Sequence, residues 1–305
     1  MRPLMVTACL LAGVGFVAPA HAQAQAEQPF AAGTPLEMSP NVKVYGSFRF
    51  AESCSFDEAR NLIVVPSAGI GQNVIENDGY VSLINPDGTV HTPKWIGVNR
   101  NGLTLNHPLG SDIQTGMFYV ADIDTVRWFD MATGAPAGSA VIEGAAVLND
   151  IEVASDGTIY ASQHGNADGT VPWRLYKVAA DGTSSIMVEG GVLNRPNGVA
   201  FDPDGNIVVV QLGDDQVLTF SPEGELLGTE TSLDPGNDGL VILADGTKYV
   251  SSVQRGRIAR IPPDGAPEEI ATGVPSPASM CYDPNQNQLI LPMNNWNAIG
   301  LLTLD

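Results

Sequence analysis

The chain alternates short apolar runs with tight polar turns along most of its length. A clear example is Asn197-Gly198-Val199-Ala200-Phe201-Asp202-Pro203-Asp204-Gly205-Asn206-Ile207-Val208-Val209-Val210. An Asp-Gly step supplies the positive φ of a hairpin corner, and Val, Ile and Phe favour strands on either side of it. Residues 197–210 are therefore predicted to form a β-hairpin.

This hairpin recurs in a register that can be counted. In three units a polar residue stands seven positions before the Asp of an Asp-Gly turn, at Asn149, Asn197 and Asp238. The same spacing gives six units, which start at Glu52, Pro108, Asn149, Asn197, Asp238 and Ala278. A second series of turns lies inside the units, at Asp87-Gly88, Thr133-Gly134, Asp181-Gly182, Glu223-Gly224 and Asp264-Gly265. Two hairpins make four strands per unit, and four strands in roughly 40–50 residues are typical of a propeller blade.

The predicted fold is thus all-β, a six-bladed β-propeller of four-stranded antiparallel blades that spans residues 42–305 as one domain. The last unit has room for only three strands after Ala278. Val42-Lys43-Val44-Tyr45 alternates like a short strand, so we expect it to complete the sixth blade and close the ring.

Residues 1–22 stand outside the repeat. Arg2 precedes an apolar run, and Ala20-His21-Ala22 is a small-x-small cleavage site, which together predict a secretory signal peptide. Residues 23–41 are rich in Gln, Ala and Pro and are expected to be a flexible lead-in. The mature protein is expected to be exported to the periplasm.

The net charge of −20 narrows the choice of partners. Such a surface repels phosphate backbones and anionic lipids, so nucleic acid and membranes are not expected partners. Many of the acidic residues occupy turns, where they bind their own backbone: Asp87, Asp156, Asp181, Asp204, Asp245 and Asp264 are predicted to be structural. A small-molecule substrate is the expected partner, and the sequence leaves open whether the protein also binds other proteins.

Two cysteines remain after leader cleavage, Cys54 and Cys281. The counted register places them two and three residues into the innermost strands of neighbouring blades. That offset puts them on opposite strand faces, which favours two buried thiols over a disulfide.

Candidate chemistry follows from where the units start. First strands begin at one mouth of the central channel, so the six starting residues are expected to lie close together. Four of them carry a side-chain oxygen: Glu52, Asn149, Asn197 and Asp238. Oxygen ligands without thiolates or clustered His suit a hard divalent cation such as Ca²⁺. The alternative is that Asn or Asp before Gly merely turns the chain between blades.

These residues resemble the senescence-marker-protein/gluconolactonase (regucalcin-like) family of six-bladed propellers, which is related to diisopropyl-fluorophosphatase-like phosphotriesterases and sugar lactonases. The resemblance covers about residues 45–305. It implies that the segments starting at Glu52, Asn149, Asn197 and Asp238 surround one divalent ion, usually calcium. The family's Glu-Gly-Pro is Glu52-Ser53-Cys54 here, and its Asn-Asp-Gly is Asn149-Asp150-Ile151.

A channel-bound dication would suit hydrolysis of a lactone, ester or phosphotriester, because it can stabilise the oxyanion that water attack produces. The candidate catalytic residues are Asp238, His107 and His164. A His at the mouth can serve as a general base, or it can be a hydrogen-bonded wall residue. His91, in an outer strand, is expected at the surface.

The predicted function is therefore a metal-dependent hydrolase of lactones or related esters. One alternative is a non-catalytic periplasmic binding or interaction propeller with a structural metal. Another is a metal-independent enzyme of the strictosidine-synthase type.

Overall fold

The computed structural model describes residues 39–46, 48–69, 74–97, 103–166 and 168–304. The predicted signal peptide, residues 1–22, and most of the lead-in lie outside the described residues. Among the residues described, no helix is long and apolar enough to cross a membrane.

The described chain forms six antiparallel sheets of four strands. The N-terminal strand β1 (Val42–Gly46) belongs to the last sheet. Blade one contains β2 (Ser55–Asp57), β3 (Leu62–Ser67), β4 (Tyr80–Ile84) and β5 (Val90–Gly97). Blade two contains β6 (Pro108–Gln114), β7 (Met117–Asp122), β8 (Thr125–Asp130) and β9 (Pro136–Val141). Blade three contains β10 (Ile151–Val153), β11 (Ile159–Gln163), β12 (Arg174–Val178) and β13 (Ser184–Glu189).

The other three blades repeat this order. Blade four contains β14 (Pro196–Phe201), β15 (Ile207–Gln211), β16 (Gln216–Phe220) and β17 (Leu226–Thr231). Blade five contains β18 (Asn237–Ile242), β19 (Lys248–Ser252), β20 (Arg257–Ile261) and β21 (Glu268–Ala271). Blade six contains β22 (Cys281–Asp283), β23 (Gln288–Met293), β24 (Ala298–Thr303) and β1, with a 3₁₀ turn at Asn294–Trp296. The predicted six-bladed β-propeller is confirmed.

The second strands show why the sequence builds stacked sheets. All five residues of β15 are buried. Ile207 and Val209 pack into the cluster shared with blade three, whereas Val208 and Val210 pack into the cluster shared with blade five. Because successive side chains point to opposite faces, a strand between two neighbouring blades buries apolar side chains on both of its faces.

Four of the six aspartates predicted to be structural have that role. The carboxylates of Asp87, Asp156, Asp181 and Asp245 each accept the backbone N–H of the Thr two residues later, at 2.9–3.0 Å. In the hairpin of blade four this acceptor is Asp202 and not Asp204. The Thr side-chain hydroxyl lowers the pKa of Asp87 most, and the Thr backbone N–H lowers that of Asp156, Asp181 and Asp245 most, with the other Thr group adding to each shift. His91 is exposed, as expected.

Two features join the first and last blades. β1, from which the chain continues into blade one, pairs antiparallel with β24 of blade six, from Val42 opposite Leu302 to Gly46 opposite Ala298. Cys54 and Cys281 form a disulfide with their Cα atoms 5.5 Å apart. The prediction of two separate thiols is wrong, and the reason lies in how blades stack. One face of a blade packs against the opposite face of the next, so residues of opposite parity point toward each other across the boundary.

Candidate active site

A cavity of about 270 Å³ opens at the mouth of the channel where the first strands begin. All six predicted site residues line it: Glu52, His107, Asn149, His164, Asn197 and Asp238. Its volume is slightly below the roughly 300–1,000 Å³ of drug-sized ligand pockets, so it suits a small substrate.

The cavity floor is a ring of five residues that lie at or just before the start of the first strands of blades one to five. Pairing with the second strand aligns Pro108, Pro196 and Asn237 at the residue just before this ring. Leu109, and not Pro108, therefore occupies the position of Asn197 and Asp238, and Leu109 lines the cavity. The counted register was one residue off in blade two because the hairpin of β6 and β7 has a shorter loop, Thr115-Gly116. The ring members on the cavity floor are Glu52, Leu109, Asn149, Asn197 and Asp238.

Glycine follows three ring residues, Leu109, Asn197 and Asp238, because adjacent first strands approach closely. A Cβ on Gly198 would lie 2.4 Å from the Asp238 carbonyl oxygen, and one on Gly239 would lie 2.4 Å from that of Ala278. Neither glycine has a positive φ. The Asn-Gly and Asp-Gly steps therefore serve close packing of the blades and not a chain turn.

Serine hydroxyls hold the first strands in register with one another. Ser162 Oγ donates to the Asn197 carbonyl at 2.6 Å, and Ser251 Oγ donates to the Ala278 carbonyl at 2.8 Å. Each serine lies on the second strand of the preceding blade and is fully buried. These bonds fix the backbone from which the ring side chains project.

Glu52 is 5% exposed and is oriented by blade six. Asn294 Nδ2 donates to Glu52 Oε2 at 2.8 Å, while the Asn294 side-chain oxygen accepts from Ser276 Oγ and from the Asn295 backbone N–H. Burial raises the pKa of Glu52 to about 8, and the negative charge of Asp150 adds to the effect, against the Asn294 bond.

Asp238 and Asn197 each have a side-chain oxygen on the floor that accepts no hydrogen bond from the described residues. Asn197 Oδ1 and Asp238 Oδ1 are buried and have no hydrogen-bond partner among the described residues. Burial and the charges of Glu52 and Asp150 raise the pKa of Asp238 well above its usual range, and a side-chain hydrogen bond with Asn197 opposes that shift. Buried oxygens without a donor are costly, so these two atoms are suited to contact an electropositive ligand.

Asp150 differs from these residues because the protein itself satisfies its carboxylate. Ser279 Oγ donates to Asp150 Oδ2 at 3.0 Å, the Val199 N–H donates to the same oxygen, and the Ile151 N–H donates to Oδ1. Burial still raises the pKa of Asp150 to about 7. We interpret Asp150 as a link between blades three, four and six.

The two histidines face the cavity with different nitrogens. His107 Nδ1 lies 3.2 Å from the Ala68 carbonyl, which can only accept, so Nδ1 carries the proton and Nε2 is the basic nitrogen. His164 Nδ1 lies 3.4 Å from Asn149 Nδ2, a donor, so in the neutral ring Nε2 carries the proton. Burial, together with the charge of Arg195, lowers the pKa of His164 to about 4, and the ring is neutral at pH 7.

Arg195 lines the cavity and is the functional candidate that sequence reasoning missed. In the corrected register it occupies the same position as His107, since His107-Pro108 aligns with Arg195-Pro196. This His-Pro and Arg-Pro correspondence is the signal that could have identified it. Four residues that line the cavity wall each lie two positions before a floor residue of the same blade: Phe50, His107, Val147 and Arg195.

The floor fits a hard divalent cation. Glu52, Asn149, Asn197 and Asp238 offer oxygen donors, and two of these oxygens have no partner within the described residues. No cluster of three His, Cys, Asp or Glu side chains suited to a metal occurs in the described part of the chain. A metal on this floor would therefore need the two amide oxygens as ligands besides the carboxylates.

A second group of carboxylates lies toward the other end of the first strands. Asp112 and Glu152 line a separate cavity of about 240 Å³. Asp112 accepts the backbone N–H groups of Val153 and Ile113, and burial raises the pKa of Asp112 to about 6. Burial and the charges of Asp112 and Asp150 raise the pKa of Glu152 well above its usual range. Within the described residues no group donates a hydrogen bond to the Glu152 carboxylate.

Glu152→Gln is expected to stabilise the protein at alkaline pH. A carboxyl group with a raised folded-state pKa stabilises fully below its unfolded pKa, about 4.5, and that stabilisation is lost as the pH rises through the folded-state value. The variant should melt about 2–4 °C above the parent at pH 8, equivalent to about 1 kcal/mol, and equal it at pH 4. Thermal denaturation across this range measures the difference. Glu58→Gln, which removes an exposed charge at the same end, should show no such trend, and an equal gain at pH 4 would contradict the argument.

The fold and cavity define a six-bladed propeller with an oxygen-lined, acidic site at one channel mouth. The chain belongs to the SMP-30/gluconolactonase/LRE-like family, whose model matches residues 87–292. No curated protein sequence matches the chain significantly.

Solved structures of low sequence identity share the fold. A gluconolactonase from Xanthomonas campestris has a TM-score of 0.63 at 18% identity, covering 87% of this chain and 91% of that protein. Regucalcin from Agrobacterium tumefaciens, a calcium-binding protein, has a TM-score of 0.55 at 17% identity, covering 84% and 92%. Virginiamycin B lyase from Staphylococcus aureus has a TM-score of 0.60 at 12% identity, covering 88% and 100%. Because a lyase shares this fold, the reaction must be argued from the site.

Proposed function

We propose that this protein is a divalent-metal-dependent hydrolase of lactones or related esters, with calcium as the metal. One observation carries the proposal: Asn197 Oδ1 and Asp238 Oδ1 are buried on the floor of a substrate-sized cavity without a hydrogen-bond donor among the described residues. The neighbouring Glu52 adds a second carboxylate, so the floor has the charge to balance a dication. The gluconolactonase and regucalcin of the same fold support this choice.

The ligands would be Glu52, Asn149, Asn197 and Asp238. In Asn149 the amide nitrogen faces His164, which leaves its side-chain oxygen available as a ligand. Bound there, a divalent cation supplies a Lewis acid for a carbonyl oxygen. Asn294 and the serine hydroxyls keep the donors in place, as outer partners of a metal site do.

The two histidines of the cavity wall would have different roles, proton transfer for His107 and hydrogen bonding to the substrate for His164. His107 is the general base, because its Nδ1 donates to Ala68 and its Nε2 can take a proton from water. Its backbone is fixed by Asp122 Oδ1, which accepts the His107 N–H at 2.7 Å. His164, whose Nε2 carries a proton, is a hydrogen-bond donor to the substrate. Asp238 is assigned to the metal and not to proton abstraction.

The overall reaction is addition of water to the lactone or ester carbonyl carbon. The proton leaves water for His107, the carbon–oxygen bond of the ring or ester breaks, and the leaving oxygen takes a proton. The products are a hydroxy acid from a lactone, or an acid and an alcohol from an ester. The proton on the leaving oxygen comes from protonated His107, and this transfer restores the neutral imidazole.

Removal of the metal is expected to abolish turnover. Purified protein should contain about one divalent ion per chain by elemental analysis and should hydrolyse at least one member of a panel of lactones, esters and phosphotriesters. Treatment with a chelator should remove the bound ion and the hydrolytic activity, and added Ca²⁺ should restore the ion and the activity. Turnover that persists in metal-free protein would reject the proposal.

The same measurements separate the alternative functions. A metal-containing protein whose melting temperature falls on chelation, yet which hydrolyses nothing in the panel, would be a binding propeller with a structural ion. A protein that binds no divalent ion would favour the metal-independent enzyme class. Either result would replace the hydrolase proposal.

We also propose that the protein works in an oxidising compartment outside the cytoplasm, the periplasm. The Cys54–Cys281 disulfide supports this, since such bonds persist in oxidising compartments and are rare where thiols are kept reduced. The predicted signal peptide, residues 1–22, is consistent with export. Cell fractionation with mass determination of the mature N-terminus tests the proposal.

A further inference from the structure

Arg195 has no charge partner although it is partly buried. The other partly buried arginines of the described chain each form an ion pair with a carboxylate: Arg60, Arg127, Arg174 and Arg260. Arg195 forms no such pair with any described residue, and its Nε is buried without an acceptor. A guanidinium in this state is costly unless a ligand supplies the acceptor.

The protein holds Arg195 in the cavity wall against backbone preference. Its φ is +58°, in the left-handed region that side chains other than glycine seldom adopt. The Leu212 N–H donates to the Arg195 carbonyl at 2.9 Å and fixes this conformation. The carboxylate of Asp214, in the same blade, does not pair with Arg195. It accepts hydrogen bonds from the side chains of Asn194 and Gln211 and from the backbone N–H of Gln216.

The charge of Arg195 matters most when the floor is neutral. Among the groups that line the cavity, Glu52 and Asp238 would balance a bound dication, and the charge of Arg195 would be left without a counter-charge. An anionic group on the ligand would complete this arrangement, and a guanidinium binds carboxylate in a two-pronged geometry.

We propose that Arg195 is a specificity-determining residue that binds a carboxylate on the substrate, separate from the carbonyl that is hydrolysed. The favoured substrates are lactones or esters that carry a free carboxylate, such as the lactones of dicarboxylic sugar acids. This inference rests on the proposed hydrolase function and names its substrate class.

Paired substrates test the inference in the calcium-loaded full chain. Glucono-δ-lactone is the neutral probe, and glucaro-δ-lactone carries the additional carboxylate. Arg195→Met should lower kcat/KM for the acidic lactone by about 10- to 100-fold, mainly through KM, and should change it less than about 3-fold for the neutral lactone. Arg195→Lys should recover part of the loss. Arg255→Met, which removes an exposed positive charge from the β19–β20 loop, should behave as the parent.

A binding measurement keeps the inference testable if the hydrolase function fails. Titration calorimetry with glucarate, a dicarboxylate, should show binding about 10-fold or more weaker in Arg195→Met than in the parent and in Arg255→Met. If the parent hydrolyses the neutral lactone, two outcomes overturn the carboxylate role while the hydrolase function stands. In one, Arg195→Met lowers kcat/KM equally for both lactones; in the other, it lowers kcat/KM for neither. If no lactone is hydrolysed, the hydrolase function fails, and equal glucarate affinity in parent and variant would overturn the Arg195 role as well.

Discussion

Asp238→Asn is expected to remove both metal binding and turnover while leaving the metal-free protein at least as stable as the parent. The reason is that Asp238 is buried near the negative charges of Glu52 and Asp150, which repel it when no cation is bound. In the parent, calcium at about 100 times its dissociation constant should raise the melting temperature by about 5–10 °C. The variant should show no such rise, and its hydrolysis rate should fall at least about 100-fold.

The variant changes one carboxylate to an amide of the same shape, so loss of fold does not account for its effect. Asp245→Asn is the matched control, since Asp245 lies in an exposed turn and an amide oxygen can still accept the Thr247 N–H. It should retain the calcium response and the turnover of the parent. A calcium-induced rise in melting temperature that survives in Asp238→Asn would show that Asp238 is not a ligand.

Loss of the Cys54–Cys281 disulfide is expected to destabilise the propeller strongly. The bond joins residues 227 positions apart and connects blade one to blade six, so it restricts nearly the whole unfolded chain. A crosslink of this kind contributes about 2–5 kcal/mol in the chain-entropy account. The double variant Cys54→Ser/Cys281→Ser should therefore melt about 5–15 °C below the parent.

Reductant supplies the control for this prediction. The parent should lose stability when reduced, whereas the double variant should be indifferent to reductant. The two should then melt within a few degrees of each other. A parent protein that melts at the same temperature with and without reductant would contradict the stabilising role of the bond.

The sequence predicted the fold well because the repeat is a local signal. Most Asp-Gly turns bind their own backbone, and the buried second strands contain apolar runs such as Ile207–Val210 in β15. Such features need only a few neighbouring residues to be recognised. The position of Glu52, Asn149, Asn197 and Asp238 around one cavity followed from counting within that repeat, and the structure places all four there.

The errors arose where a conclusion needed two blades at once. Cys54 and Cys281 were judged by strand parity within a single blade, whereas contact across a blade boundary requires opposite parity. Pro108 was placed one position from the ring because the blade-two hairpin is shorter than the others. The alternative in which Asn or Asp before Gly turns the chain does not hold for Asn197 and Asp238, because their glycines are required by close contact with neighbouring backbone.

By itself the sequence determined the number of blades, the turns and the chemical types of the floor residues, since these follow from local alternation and spacing. Only the tertiary structure decided that Asn197 Oδ1 and Asp238 Oδ1 lack donors, that the two histidines present different nitrogens, and that Arg195 enters the cavity unpaired. Hydrogen-bond satisfaction and charge pairing depend on atoms brought together from different blades. The relative positions of those atoms are set by blade packing, which spacing along one chain does not encode.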